Sequence, residues 1–501
     1  MTTTYHLALD CGAESGRVML GTLSRSADNS DGKLALEELH RFPTGAIRIA
    51  GSMRWDVLRI ADELRQGVKL AVKRSLPISS LSCDTWGVDY VLTRAGEPVL
   101  SLPRHYRDPR NIPAYDKVRK QLGEDAIFTE TGIQFMAINT LYQLVAAKDA
   151  DPGLLAAAER MIPMGDWFNY VFSGRAVGDA SMASTTQLYN PRTRAWSWTL
   201  IEQLGLPKHL FPELVPCGTV LGPVTTEFAT DTGLKAETKV IATCSHDTGA
   251  AVAGVPAEAG NDWAYLSSGT WSLLGVEHHE PVITPASRKY NFTNEVGVGH
   301  TIRLLKNISG LWVVQECRRA WEAAGITYDY TELTRLAEVS APLKSLINPN
   351  DPRFVTADAM PEKIAAYCRE TNQPVPQTPG EFVRCALESL ALSYRRTLGE
   401  LEATTGRRLT KLHIVGGGTK NLLLNQLAAD ATGRMVLAGP IEATAAGNIL
   451  IQAMALGHLA DLAAIRRVVR SSFPIITYQP RDDAAVSQQW AAAYNRFKDL
   501  P

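Results

Sequence analysis

Residues 6–23, HLALDCGAESGRVMLGTL, are the stretch that decides the predicted fold. A strand-like apolar run ends at Asp10, a small polar turn with two glycines follows, and a second strand-like run closes the stretch. This pattern is typical of a β-hairpin with a wide turn. Residues 263–277, WAYLSSGTWSLLGVE, repeat it about half a chain length later. The repeat favours a duplicated architecture, with two unrelated hairpins as the alternative.

Strand-like and helix-like segments alternate around the two hairpins. The strand-like runs are 36–42, 78–93 and 238–247, and the helix-like runs are 61–75, 139–150 and 382–405. This mixture predicts an α/β fold. Glycines and prolines at 254–260 mark the predicted domain boundary. We expect a first domain over 1–255, a second over 256–465, and a C-terminal segment over 466–501 that returns to the first domain.

Charge and composition exclude several classes of protein. The 501 residues carry 51 Lys and Arg against 52 Asp and Glu, so no polycationic surface for nucleic acid or anionic membrane is expected. No run approaches 18 consecutive apolar residues, and the start MTTTYHLALD does not resemble a secretory signal. The seven cysteines are scattered without a C-x-x-C pair, which is typical of a reducing compartment. The sequence therefore predicts a cytoplasmic globular protein.

Common nucleotide and hydrolase motifs are absent from the sequence. It contains no G-x-x-x-x-G-K-[ST], no G-x-G-x-x-G, no H-E-x-x-H and no G-x-S-x-G. Any phosphate-binding site must therefore have another design.

The turn of the first hairpin is one candidate for such a site. Its glycines let backbone N–H groups approach an anion, and Ser15 and Arg17 add donors. Asp10 stands at the end of the strand, where its carboxylate could hold Mg²⁺ directly or through water. The alternative is an ordinary turn in which the aspartate only favours the bend.

A second candidate is Ser245-His246-Asp247-Thr248, which follows an apolar strand. A helix that begins here would keep the Asp247 carboxylate ionised and ready to accept a proton from a bound hydroxyl. The alternative is that Asp247 or Thr248 only caps the helix.

Three further stretches have polar groups or bare backbone at predicted strand ends. The second turn, 267–270, offers N–H and hydroxyl donors to phosphate oxygens, or is a plain β-turn. Gly416-Gly417-Gly418 could lie against a nucleotide, or could serve only tight packing between strand and helix. Residues 84–89, DTWGVD, combine an aromatic ring with carboxylates in a way that suits a sugar, unless Trp86 is a core residue.

Taken together, these stretches resemble the FGGY carbohydrate kinases, members of the actin-like, ribonuclease H-like ATPase superfamily. The resemblance implies an α/β fold of two actin-like domains with an active-site cleft between them. The matching stretches are LALDCGAESGRVMLG (7–21), DTWGVDYVL (84–92), HYRDPRN (105–111), TGIQFMAINTLYQL (131–144), ASTTQLYNP (183–191), SHDTGAAVAGVP (245–256), YLSSGTWSLLGVE (265–277), LKNISGLWVVQE (305–316), INPNDPRF (347–354) and LHIVGGGTKNLLLNQLAADATG (412–433).

The resemblance also implies a role for individual residues. Asp247 would accept the proton of the sugar hydroxyl, and Asp10 would lie near Mg²⁺. Sugar-binding residues would be Gly87, His246, Asp247, Thr248 and Asn307. ATP-binding residues would be Ala13, Glu14, Ser15, Gly16, Arg17, Thr270, Gln315 and Gly417. Glu14 departs from the small or hydroxyl residue of relatives, and because a carboxylate repels phosphate, its side chain is expected to point away from ATP.

The implied activity is transfer of a phosphoryl group from ATP to L-rhamnulose, giving L-rhamnulose 1-phosphate. Another ketose, such as L-fuculose or L-xylulose, is the alternative within the same class. An actin- or Hsp70-like ATPase switch that binds a protein is the alternative from another class. The expected partners are a small sugar and ATP, without nucleic acid or membrane, in a monomer or small homo-oligomer.

Overall fold

The computed structural model describes residues 2–26 and 29–501, which form a mixed α/β protein. Its strands are β1 (Thr2–Cys11), β2 (Ser15–Ser26), β3 (Asn29–Pro43), β4 (Ile47–Ile49), β5 (Ser52–Arg54), β6 (Ile78–Thr85), β7 (Tyr90–Arg94), β8 (Glu97–Ser101), β9 (Arg160–Pro163), β10 (Gly178–Asp179), β11 (Tyr189–Asn190), β12 (Ala195–Trp196), β13 (Leu214–Val215), β14 (Thr219–Pro223), β15 (Lys239–Ala242), β16 (Trp263–Ser268), β17 (Trp271–His278), β18 (Thr293–Val296), β19 (Ile302–Ser309), β20 (Lys411–Val415), β21 (Met435–Ala438) and β22 (Ile476–Tyr478).

The helices are α1 (Val57–Val72), α2 (Asn111–Leu122), α3 (Glu124–Thr131), α4 (Thr140–Ala150), α5 (Pro152–Ala157), α6 (Met164–Ser173), α7 (Ala180–Thr185), α8 (Trp198–Gln203), α9 (Thr226–Thr232), α10 (Asp247–Ala253), α11 (Pro285–Lys289), α12 (Trp312–Ala323), α13 (Tyr330–Glu338), α14 (Met360–Glu370), α15 (Pro379–Thr405), α16 (Leu422–Thr432), α17 (Ala443–Ala455), α18 (Leu462–Ser472) and α19 (Ala484–Lys498). Short 3₁₀ helices cover Lys208–Leu210, Val298–His300, Pro352–Phe354 and Gly417–Lys420.

The chain divides into two compact units, each assembled from three segments. Unit 1 consists of 1–258, 277–304 and 443–473, and unit 2 consists of 259–276, 305–442 and 474–501. Of the segment 466–501 that was expected to return to the first domain, residues 466–473 belong to unit 1, whereas 474–501 belong to unit 2, where the final helix α19 packs against α15 and α16. Burial of Trp490, Ala493 and Phe497 on α19 accounts for that packing.

Unit 1 is built around a six-stranded sheet with the order β14-β15-β6-β1-β2-β3. β1 pairs with β2 in antiparallel fashion and with β6 in parallel, and β6 pairs in parallel with β15. Leu7 and Leu9 of β1 join one apolar cluster, which includes residues of α1, whereas Ala8 joins another, which includes residues of α17. Because both faces of the strand are covered, the run Leu7–Leu9 of β1 is continuously apolar instead of alternating.

Unit 2 repeats the strand arrangement of unit 1 in its own sheet. The strands of this seven-stranded sheet follow the order β22-β21-β20-β16-β17-β19-β18, so it has one strand more than the first sheet. β16 pairs with β17 in antiparallel fashion and with β20 in parallel, and β20 pairs in parallel with β21. Each sheet therefore centres on the first strand of one of the two hairpins that the sequence predicts. The duplicated architecture is present in the strand order.

Candidate active site

Three polar segments of unit 1 meet at the ends of neighbouring parallel strands. Asp10 on β1 stands opposite Asp84 on β6 in the register of the sheet. The segment Ser245–Thr248, which follows β15, joins them because the Thr85 N–H donates to the Ser245 carbonyl at 2.9 Å. The carboxyl ends of parallel strands are the usual place for ligand sites in α/β sheets.

Arg17 forms an ion pair with Asp10 across the first hairpin. Its Nε and Nη2 atoms lie 3.0 and 2.7 Å from the same carboxylate oxygen, Oδ2. The intervening turn is fixed by a hydrogen bond from the Gly12 N–H to the Ser15 carbonyl at 3.0 Å. Glu14 at the tip of this turn is exposed. The structure thus brings Asp10 and the expected ATP-binding turn 13–17 together at one strand end.

Asp84 is fully buried beside Asp10 and has no cationic partner of its own. Its Oδ2 accepts a hydrogen bond from Nδ2 of Asn448 on α17 at 2.5 Å, and its Oδ1 has no hydrogen-bond partner. Burial and the neighbouring charge of Asp10 hold the pKa of Asp84 well above its usual range. This strand end therefore presents two carboxyl groups, Asp10 paired with Arg17 and Asp84 hydrogen-bonded to Asn448.

Asp247 is the first residue of α10, and His246 occupies the N-cap position without a capping bond from its side chain. The alternative that Asp247 caps the helix is therefore not what the structure shows. The Asp247 side chain is 29% exposed, and its Oδ1 lies 3.6 Å from Nε2 of His246. Burial, partly opposed by His246 and reinforced by Asp10, raises the pKa of Asp247. A carboxylate with a raised pKa is a stronger general base.

Gly87 lies directly against His246. A Cβ atom at position 87 would be 3.2 Å from Nε2 of His246 and 3.1 Å from Cγ2 of Thr185. The next residue, Val88, has a φ of 69°, a conformation that is unfavourable for a β-branched side chain. The Val88 N–H donates to the Thr185 hydroxyl at 3.1 Å, and the Thr140 hydroxyl donates to the Val88 carbonyl at 2.6 Å. These bonds hold the strained loop that presents Gly87 to His246.

Trp86 lies in the core, as the alternative reading of its motif expected. It is 6% exposed and stacks on Trp55 with ring centroids 3.9 Å apart. The indole N–H groups of Trp55 and Trp86 both donate to Oδ2 of Asp89, at 2.5 and 2.9 Å. Burial raises the pKa of Asp89 to about 7, against the lowering effect of these hydrogen bonds.

Two buried side chains that lie beside His246 are not among the site residues that the sequence predicts. Nδ1 of His246 lies 3.3 Å from Oε2 of Glu295 and 3.2 Å from Nη2 of Arg303. A usable signal is present at the start of β19, where Arg303 interrupts the apolar run Ile302–Leu305. A charge in a buried strand requires a partner, but the sequence does not show which residue supplies it.

Unit 2 brings together its own expected ATP-binding residues around the second hairpin. Its turn is Gly269-Thr270, whose carbonyls accept bonds from the N–H groups of Leu311 and Trp312 at 3.0 and 3.3 Å. These bonds place the first turn of α12 against the hairpin, and α12 carries Gln315. The Oε1 atom of Gln315 is buried without a hydrogen-bond partner. An unpaired polar atom of this kind can serve a ligand.

The triple glycine follows β20 and packs beside the end of β16. A Cβ atom on Gly418 would lie 2.0 Å from the Ser268 hydroxyl oxygen, so this position serves close packing. Gly417 is different, because it is exposed and a Cβ there would meet nothing within 4 Å. The packing alternative therefore explains Gly418 and leaves the bare backbone of Gly417 without a packing role.

Asn307 is separated from the other expected sugar-binding residues by the division of the chain. It lies on β19 in unit 2, whereas Gly87, His246, Asp247 and Thr248 belong to unit 1. Over residues 2–26 and 29–501, no group of three or more His, Cys, Asp or Glu side chains is arranged to hold a metal ion. In the same described part of the chain, no helix is long and apolar enough to cross a membrane.

Comparisons with known proteins find relatives that match nearly the whole chain. Residues 5–254 match the N-terminal domain, and residues 264–456 the C-terminal domain, of the FGGY family of carbohydrate kinases. A rhamnulokinase of Bacteroides thetaiotaomicron is 44% identical over 98% of each chain. A rhamnulokinase of Oceanobacillus iheyensis is 40% identical over 94% of this chain and 98% of its own.

Solved structures of sugar and polyol kinases share the fold at low sequence identity. A ligand-bound xylulose kinase from Lactobacillus acidophilus has a TM-score of 0.80 at 16% identity, covering 99% of this chain and 97% of its own. A Plasmodium falciparum glycerol kinase with ADP has a TM-score of 0.78 at 15% identity, with the same coverage. The predicted resemblance and the predicted fold class of two actin-like α/β domains are thereby confirmed. The chain belongs to the FGGY family of carbohydrate kinases.

Proposed function

We propose that the chain transfers the γ-phosphoryl group of ATP to the 1-hydroxyl of L-rhamnulose, giving ADP and L-rhamnulose 1-phosphate. The observation that carries the proposal is the full-length similarity to several rhamnulokinases at about 40% identity. The presence of a partly buried carboxylate at Asp247 supports a kinase over a sugar-binding protein without catalysis. No feature of the structure favours the other ketoses or a protein-binding ATPase switch.

Asp247 acts as the general base in this proposal. Its carboxylate accepts the proton of the sugar 1-hydroxyl while that oxygen attacks the γ-phosphorus and the bond to ADP breaks. The pKa of Asp247 is raised by burial, which increases its proton affinity, and its side chain remains accessible to a ligand. We assign sugar binding to Gly87, His246 and Thr248, of which Gly87 lies directly against His246. Asn307 is the remaining residue of this assignment.

ATP binding is assigned to the two hairpin turns, α12 and the triple glycine. In unit 1, Ala13, Glu14, Ser15, Gly16 and Arg17 supply the turn, to which Glu14 contributes backbone. In unit 2, Thr270, Gln315 and Gly417 take part, and the unpaired Oε1 of Gln315 supports this assignment. Phosphoryl transfer requires mainly alignment and neutralisation of charge, which such donors provide.

Mg²⁺ fits the carboxyl groups of the strand ends. Mg²⁺ in kinases is commonly held by one or two carboxylates together with substrate phosphates, so a complete cage of protein ligands is not required. Asp10 would hold it, because its carboxylate stands at the end of β1 beside the expected phosphate-binding turn. When bound, the ion would neutralise charge on the phosphates. We further propose a cytoplasmic monomer or small homo-oligomer that binds neither nucleic acid nor membrane.

A panel of ketoses tests the proposal directly. ADP release should depend on L-rhamnulose, with L-fuculose and L-xylulose giving a kcat/KM at least roughly tenfold lower. Asp247→Asn should lower kcat by about 10²- to 10⁴-fold while leaving the fold and sugar binding intact. ADP release that is slow and indifferent to every ketose would instead support an ATPase switch. A preference for another ketose would support the alternative within the same class.

A further inference from the structure

The Glu295, Arg303 and His246 side chains form a cluster in the interior of unit 1. The side chains of Arg303, Glu295 and His246 are 0, 6 and 8% exposed. Nη2 of Arg303 lies 3.1 Å from Oε2 of Glu295 and 3.2 Å from Nδ1 of His246. A buried cation and a buried carboxylate are costly unless they are paired and hydrogen-bonded. Burying these charges costs folding free energy, and a role at the proposed sugar site would explain why the cluster is kept.

The backbone around Arg303 fixes the direction of its guanidinium group. Its Nε and Nη2 atoms donate to the Val296 carbonyl at 3.3 and 3.2 Å. Gly297 leaves room for the stem, since a Cβ there would lie 3.4 Å from Cγ of Arg303. A Cβ on Gly249, in the first turns of α10, would lie 3.5 Å from Nη2. Because the guanidinium is planar and confined in this way, its N–H directions are fixed.

The contact with Arg303 determines where His246 can carry its proton. A guanidinium only donates hydrogen bonds, so the bond between Nη2 of Arg303 and Nδ1 of His246, at 3.2 Å, uses the lone pair of Nδ1. Oε2 of Glu295, 3.3 Å from the same nitrogen, then pairs with Arg303 and not with the ring. A neutral imidazole in this geometry has its proton on Nε2, the atom 3.6 Å from Oδ1 of Asp247 and next to Gly87. Burial alone would raise the pKa of Glu295, but the charge of Arg303 lowers it.

Among residues 2–26 and 29–501, three charged side chains lie near the imidazole of His246. The groups that face it are Asp247 from α10, Glu295 from β18 and Arg303 from β19. On the backbone side, the His246 N–H donates to the Ser181 hydroxyl at 3.2 Å, and the Ser245 N–H donates to Oδ1 of Asp179 at 3.3 Å. These two bonds hold the backbone of the segment in place and do not involve the imidazole ring.

We propose that Arg303 and Glu295 are positioning residues: Arg303 donates to Nδ1 of His246 and so directs the Nε2–H towards the sugar, and Glu295 balances the charge of Arg303. The proposal rests on the function proposed above. A neutral His246 donates one hydrogen bond to a sugar oxygen, which has lone pairs to accept it. It also leaves Asp247 more basic, because an imidazolium at 3.6 Å would stabilise the carboxylate and weaken it as a proton acceptor. Arg303 thus tunes the base through His246 without touching the substrate.

The tautomer of His246 can be measured without any activity. The full chain is labelled with ¹⁵N in its histidine rings, and the signals of His246 are identified by their loss in His246→Gln. At pH 7 we expect a proton on Nε2 and none on Nδ1. A proton on Nδ1, or on both nitrogens, would overturn the proposal. Because no substrate is present, this result is independent of whether L-rhamnulose is the right sugar.

A pair of variants separates positioning from general stability. Arg303→Met removes the donor to Nδ1 and leaves Glu295 as the neighbour of the ring. We expect the proton to move to Nδ1 and kcat/KM for the ketose to fall roughly 10- to 100-fold, with a new ionisation in the pH profile. The control is Arg384→Met, which breaks the buried pair of Arg384 and Glu388 in unit 2, where the two side chains lie 2.6 Å apart.

Arg384→Met should lower stability while leaving the His246 tautomer and the pH profile unchanged. Glu295→Gln keeps an acceptor for Arg303, so the proton should stay on Nε2. A folded Arg303→Met variant with the wild-type tautomer and pH profile would refute the positioning role. If Arg303→Met does not fold, the wild-type spectrum still decides where the proton lies.

Discussion

Gly417 is the position where the nucleotide assignment can be tested without disturbing the fold. A Cβ there would meet no atom within 4 Å, and the residue is exposed, so the protein itself tolerates a side chain. If ATP lies against this backbone, the side chain of Gly417→Val occupies the space of the nucleotide. The expected result is a rise in KM for ATP of at least roughly tenfold, which corresponds to about 1.4 kcal/mol. KM for the sugar should stay within about twofold of the wild-type value, because the new side chain does not disturb the rest of the fold.

The neighbouring glycine provides a matched control. In Gly418→Ala the new Cβ would lie 2.0 Å from the hydroxyl oxygen and 2.6 Å from Cβ of Ser268, so the strand end or the turn must shift. Overpacking of this kind lowers the free energy of unfolding by about 1–3 kcal/mol. Gly418→Ala should therefore lose stability whether or not ATP binds here, whereas Gly417→Val should keep the wild-type unfolding temperature.

Initial rates of ADP release, with ATP varied at saturating sugar and then the reverse, give both KM values. Thermal and urea unfolding without ligands give the stability of each variant. A folded Gly417→Val enzyme whose KM for ATP stays within about twofold of the wild type would refute the placement of ATP at this turn. Equal rises in both KM values would indicate general damage to the active site.

Three further outcomes follow from the geometry. Since burial raises the pKa of Asp247, kcat/KM should begin to fall with decreasing pH above the ordinary range of an aspartate, and a pH–rate profile that stays flat there would contradict its role as base. Gly87→Ala places a Cβ 3.2 Å from Nε2 of His246 and should raise KM for the sugar roughly tenfold with KM for ATP unchanged, which initial rates measure. Gly447→Ala places a Cβ 1.8 Å from the Ala250 carbonyl oxygen, so urea unfolding should show a loss of about 1–3 kcal/mol or more, and unchanged stability would argue against close contact of α10 with α17.

The fold could be predicted from the sequence where the signal is local. Both hairpins and the long helix α15 follow from periodicity and turn residues, which act over a few positions. The sequence predicts one strand-like segment over 78–93, but the structure divides this segment into β6 and β7. Val88 lies between the two strands and has a left-handed backbone conformation. Because valine is β-branched and disfavours that conformation, the sequence does not predict a break there. The Val88 N–H donates to Thr185 and the Val88 carbonyl accepts from Thr140, and these bonds hold that conformation. Both threonines are distant in sequence, so the sequence around Val88 does not reveal them.

The candidate site could be predicted only as far as its contiguous motifs. Asp10 and Asp247 stand at the ends of apolar strands, so their neighbours in sequence identified them. Whether Asp247 or Thr248 only caps the helix could not be predicted from SHDT, since a capping and a catalytic aspartate both fit that string. The backbone decided it, by placing His246 in an extended conformation just before the helix.

The strand ends of unit 1 depend on residues that lie far beyond its first continuous segment. Asp84, buried beside Asp10, accepts a hydrogen bond from Asn448. Asn448 is held in turn by Gln452, whose Nε2 donates to Oδ1 of Asn448 at 2.7 Å and to the Leu7 carbonyl at 2.9 Å. Arg303 likewise reaches His246 from a later segment of the same unit. Residues 277–304 and 443–473 thus belong to the same unit as the candidate site. Sequence motifs identify the candidate binding groups. The groups that contact and orient them come from these later segments and become visible only when the chain is folded.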